Sequence, residues 1–111
     1  MYIELFRLAI SNPFVEIQKE EDGIIEYKIP SENKVETIST STVIRELYNW
    51  SYRMGFTLKI EHDRVSVLRP PNRLGAEICY VNTSQGEMYT PYDELSLLKA
   101  FLYIYENVDE I

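Results

Sequence analysis

Polar and apolar residues take turns along residues 14–19, as Phe14-Val-Glu-Ile-Gln-Lys19, and again along residues 24–29, as Ile24-Ile-Glu-Tyr-Lys-Ile29. A period of two puts alternate side chains on opposite faces of a strand. Between the runs, Glu20-Glu-Asp-Gly23 supplies turn chemistry, so the pair is predicted to form a β-hairpin. Residues 34–38 predict a further short strand after the break at Pro30. Upstream, Glu4, Arg7 and Ser11 make one polar stripe on an apolar segment, which predicts a buried amphipathic helix that Pro13 stops.

The pattern then changes period. Val43, Ile44, Leu47, Tyr48, Ser51 and Met54 recur at helical spacing behind the possible N-caps of Ser39-Thr-Ser-Thr42, and Gly55 stands where a left-handed C-terminal residue is wanted. Alternation resumes over residues 56–61 and 64–69, with a turn at His62-Asp63, and a third strand is expected over 76–81 after the stiff loop 70–75. Thr90-Pro91-Tyr92-Asp93 reads as N-cap, N1 proline and an acid at N3, so a last helix is expected from there to about Tyr105, with Ser96, Lys99, Tyr103 and Glu106 as its polar stripe. The order α-β-β-(β)-α-β-β-β-α predicts an α+β protein: an antiparallel β-sheet with helices packed on it. At 111 residues the chain fits one globular domain, residues 1–111.

The stretch from Ile44-Arg-Glu-Leu-Tyr-Asn-Trp50, through the strands, to Tyr92-Asp-Glu-Leu-Ser-Leu-Leu-Lys-Ala100 resembles the helix, three-strand, helix layout of the small phage "ABA sandwich" domains. The likeness rests on element order, covers slightly over half the chain and leaves residues 1–40 outside it. It implies a virus-encoded accessory protein and brings no catalytic residues with it. A composition poor in Ala and Gln but rich in Tyr, Ile and Glu leans toward an AT-rich microbial or viral genome.

Charge alters the functional picture. Residues 45–73 hold six of the eleven Lys and Arg but three of the eighteen Asp and Glu, which leaves a basic middle in a chain of net charge −7. The acidic total argues against general binding to duplex DNA or anionic membranes, which needs net cationic surface. One cysteine cannot make an internal disulfide, and the first segment lacks the basic flank and cleavage site of a secretory leader. Both favour a cytoplasmic protein, in the host cytoplasm if virus-encoded. No apolar run approaches membrane-spanning length, and no membrane partner is expected.

Candidate chemistry is sparse. Glu61-His62-Asp63 gathers three possible ligands, but consecutive residues on an extended chain point apart, and a solvated hairpin tip is the favoured reading. Cys79 would be a nucleophile if His62 approached it, yet its mid-strand setting favours a small core side chain. Glu20-Glu21-Asp22-Gly23 lacks the alternating oxygens and distal acid of a calcium loop, and the four glycines are too scattered for a phosphate loop. The expectation is therefore no enzyme, no metal and no cofactor.

The reading that follows is a small acidic protein, an accessory factor or inhibitor, that occupies a protein with a basic surface. Its candidate contacts are Glu16, Glu20, Glu21, Asp22 and Glu26, with Glu32 and Glu36 in the same acidic third, plus Trp50 and Tyr52, which lie off the apolar stripe. Strand parity puts Glu16 with Glu20 and Glu26 with Glu32, so part of the acid set is expected on one sheet face. Homodimerisation through an exposed strand or Trp50 is compatible with this. The alternative is nucleic-acid binding through the basic segment 53–73, by Arg53, Lys59, Arg64, Arg69 and Arg73.

Overall fold

A computed structural model of the chain describes residues 1–60, 64–68, 77–82 and 94–107. Contacts divide the chain into two compact units, Met1–Leu47 and Tyr48–Ile111.

The first unit opens with helix α1, Ile3–Ile10, which buries Leu5 and Phe6. It ends three residues before the notional breaker Pro13, because Ser11 already turns left-handed at φ 60°. Ser11 N–H donates to the Leu8 carbonyl and Asn12 N–H to the Arg7 carbonyl, each at 3.1 Å, which closes the last turn as a Schellman motif without glycine. Asn12 Oδ1 then accepts from Phe14 N–H at 2.9 Å and turns the chain toward the sheet.

Strands β1 (Glu16–Glu21), β2 (Ile24–Ile29) and β3 (Lys34–Ser39) form an antiparallel sheet in that order. The β1–β2 turn is two residues long, with φ of 52° at Asp22 and 75° at Gly23, as a type I′ hairpin requires. A 3₁₀ turn, Pro30–Glu32, joins β2 to β3. Ile25 and Tyr27 are buried, and Phe6 of α1 meets Tyr27 edge to face at 5.2 Å, so one face of the sheet carries the core.

Helix α2, Thr40–Arg53, crosses the division between the units. Ser39 caps it: its hydroxyl accepts from Thr42 N–H at 3.2 Å and lies 2.7 Å from the Thr42 hydroxyl. Its far end is a second Schellman motif, with Gly55 at φ 90°, Gly55 N–H on the Tyr52 carbonyl and Phe56 N–H on that of Ser51. Phe56 is buried just after the turn.

In the second unit, β4 (Thr57–Ile60), β5 (Arg64–Leu68) and β6 (Glu77–Asn82) make another antiparallel sheet in sequence order, and helix α3, Glu94–Asn107, packs on β5 and β6. Val65 and Val67 are fully buried, as are Ala100, Phe101 and Ile104 of α3. Tyr48 of α2 meets Phe101 edge to face at 5.3 Å. Ser66, also fully buried, has no hydrogen-bond partner for its hydroxyl among the described residues. The fold is α+β in the expected order, with three strands before α2 and three after it among the described residues. Both units follow the same plan of helix, three-stranded meander and helix, although the sequence carries no repeat.

Two expectations change. Ser96 is buried rather than part of the solvent stripe of α3, whose exposed residues include Lys99, Tyr105 and Glu106. Met54, placed on the apolar face of α2, is 43% exposed, because the helix ends one residue before it. The capping sequence Thr90–Asp93, the loop 70–75 and the turn 61–63 lie outside the described residues.

Candidate protein-binding site

The expected acid face depends on the register of the first sheet. Glu16 pairs with Lys28 and Ile17 with Tyr27, but then Lys19 pairs with Glu26, Glu20 with Ile25 and Glu21 with Ile24. The step from Ile17 to Lys19 is a β-bulge that leaves Gln18 over. Beyond the bulge every β1 side chain changes face. Glu20 therefore shares the core side of the sheet with Ile25, where the α-ammonium of Met1 lies 3.1 Å from its carboxylate. The parity that put Glu16 and Glu20 together is overturned. Glu32 drops out of the strands altogether, into the 3₁₀ turn.

What the bulge brings together instead is Glu21 and Glu26 on the outer face, next to the hairpin tip. Ile24, 45% exposed, sits directly opposite Glu21, and Thr37 opposite Glu26. Glu21, Asp22, Glu26, Ile24, Thr37 and Lys19 line a shallow depression of about 280 Å³. Lys19 Nζ is 2.8 Å from the Glu21 carboxylate, both side chains being largely in water. Glu26 makes no ion pair among the described residues. Three carboxylates and one ammonium around an apolar floor leave this end of the face negative. Further along, Glu16 stands opposite Lys28, so the signs alternate there.

Glu36 faces the other way. Tyr27 donates its hydroxyl to Glu36 Oε2 at 3.2 Å, and Lys34 Nζ lies 2.7 Å from Oε1. The Lys34 ammonium and the Tyr27 hydroxyl hold the Glu36 carboxyl below its ordinary value of 4.5. Glu36 in turn raises Lys34, while burial, reinforced by Glu36, raises Tyr27. A depressed acid contributes stability above its unfolded pKa and loses it as the pH falls through the folded one; the two raised groups contribute below their unfolded values and lose it as the pH rises. The stability difference between wild type and Glu36→Gln should therefore be present at pH 7 and shrink steadily as the pH falls below 4.5. Urea melts at a series of pH values measure it, and a difference unchanged at pH 3 would contradict the triad.

Trp50 is not a surface anchor. It is 7% exposed, as core as Val43 and Leu47 on the same helix. Tyr52 is 74% exposed and Arg53 is exposed beside it at the end of α2. Lys59 is exposed on β4, and Arg64 opens β5 opposite Asn82. Arg69 and Arg73 lie outside the described residues, as does His62. Cys79 is in β6 opposite Val67, in the mid-strand position expected for it. Among the described residues no three His, Cys, Asp or Glu side chains are grouped to hold a metal, and no helix is long and apolar enough to cross a membrane. The chain matches no family model, and no curated protein or solved structure is significantly similar to it.

Proposed function

We propose that the protein is a non-enzymatic binding module that docks a basic protein surface on the hairpin end of its first sheet. The observation that carries this is the ring of Glu21, Asp22 and Glu26 around exposed Ile24 on the outer face of the sheet. A Lys or Arg side chain suits that chemistry, since its aliphatic stem covers an apolar floor while its head meets carboxylates. The encounter would be steered by charge, in keeping with a net charge of −7. A role as an accessory factor or inhibitor of viral origin agrees with the element order and composition.

Titration with a lysine-rich peptide tests this. The variant Glu21→Gln/Asp22→Asn/Glu26→Gln should bind about tenfold more weakly or worse, and added salt should weaken the wild type alone to a similar degree. Glu4→Gln/Glu46→Gln, which removes carboxylates elsewhere, should bind like the wild type. Equal losses in the two variants would reduce the effect to net charge and remove the site.

A further inference from the structure

Among the described residues β1 and β3 are the two edges of the first sheet, and they are built differently. Strand β1 carries a bulge at Gln18 and a run of charged side chains, two devices that keep an edge from pairing. Strand β3 has neither. It pairs with β2 through six consecutive residues without a bulge, alternates Val35, Thr37 and Ser39 with Glu36 and Ile38, and has no strand on its other side among the described residues.

The phase of the ladder shows what that edge offers. Thr40 N–H donates to the Gly23 carbonyl at 2.8 Å, so the hydrogen-bonded pairs of β2 and β3 are Ile38 with Ile25, Glu36 with Tyr27 and Lys34 with Ile29. Val35 and Thr37 consequently turn their backbone N–H and C=O groups outward. Val35 as a whole is 51% exposed.

We propose that β3 pairs antiparallel with β3 of a second copy of this chain, about a two-fold axis through Val35. Charge complementarity selects the partner and the register. With Val35 opposite Val35, Lys34 of each copy stands opposite Glu36 of the other, and the existing 2.7 Å Lys34–Glu36 ion pair becomes an alternating ring of four charges. Centring the axis on Glu36 would oppose like charges; centring it on Thr37 would set Glu36 against Ile38 and leave the two Glu36 carboxylates as diagonal neighbours. On the outer face the row Glu16, Lys28, Val35 runs on into its own mirror order, with the two valines covering each other at the centre. Two backbone hydrogen bonds and two ion pairs describe a weak dimer that forms with concentration. The inference is independent of the hairpin-end site, whose depression takes only Thr37 from β3.

Sedimentation equilibrium of the full chain from about 10 μM to about 1 mM tests it. The mass should climb from 13.1 kDa toward twice that value, and less so at high salt. Lys34→Glu and Glu36→Lys should each weaken association about tenfold or more, while an equimolar mixture of the two variants, in which opposite charges face each other again, should associate at least as well as wild type. The wild type alone supplies a second readout: exchange of the Val35 amide should slow as the dimer forms. A chain that stays at 13.1 kDa throughout, single variants that associate like wild type, or a Val35 amide unprotected in an observed dimer would each overturn the pairing.

Discussion

Leu98→Asp should cost the protein 3 kcal/mol or more, roughly, and urea denaturation followed by circular dichroism should show it as a large fall in midpoint. Leu98 is 5% exposed on α3, among Leu97, Phe101 and Ile104, on the helix that packs against β5 and β6. An aspartate there either stays charged without a counter-ion in a low-dielectric setting or takes up a proton, and each course draws on the stability of the fold. Lys99→Asp, one residue along on the exposed side, is the matched control and should stay within about 0.5 kcal/mol of wild type. A loss below about 1 kcal/mol at Leu98 would mean that α3 does not bury this face.

Phe6→Ala is the counterpart in the first unit. Phe6 is fully buried and its ring meets Tyr27 at 5.2 Å with 69° between planes. Removing it leaves a cavity and dissolves an aromatic pair, for an expected loss of about 3 to 5 kcal/mol. Because Tyr27 also donates to Glu36, the damage should reach the sheet: amides of Ile25 and Tyr27 should exchange faster under native conditions. Unchanged protection of these two amides would show that α1 contributes little to holding β2.

Much of this architecture was legible from periodicity and punctuation. Asp22-Gly23 forces a hairpin because both residues can take positive φ. Gly55 marks the far end of α2 by chemistry that depends only on neighbours, whereas Ser39-Thr-Ser-Thr42 offers several N-caps, of which the structure uses Ser39. The burial of Trp50 is legible too: it follows Val43 by seven residues and Leu47 by three, spacings that return to the same helical face, which outweighs its place off the stripe of Tyr48 and Ser51. Met54 continues that spacing, but a helix that stops at Arg53 no longer holds it there.

The bulge at Gln18 had no such marker. Bulges often announce themselves by a glycine, and none lies in Glu16–Glu21. Its effect is felt only across strands, where it decides which carboxylates share a face. The contact of Tyr27 with Glu36 is of the same kind, since it exists only once the register sets residue 27 opposite residue 36. Charge segregation along the chain thus translated only partly into space. The hairpin end keeps its acids together, while Glu16 meets Lys28 and Glu20 turns to the core side.

Docking of a basic partner at the hairpin end of the first sheet should register in the amide chemical shifts of the labelled chain during titration with a lysine-rich peptide. The shifts are expected to concentrate at Glu21, Asp22, Ile24, Glu26 and Thr37 and to saturate together. Shifts centred on Tyr52, Arg53 and Lys59 instead, or spread evenly over the acidic residues, would contradict it.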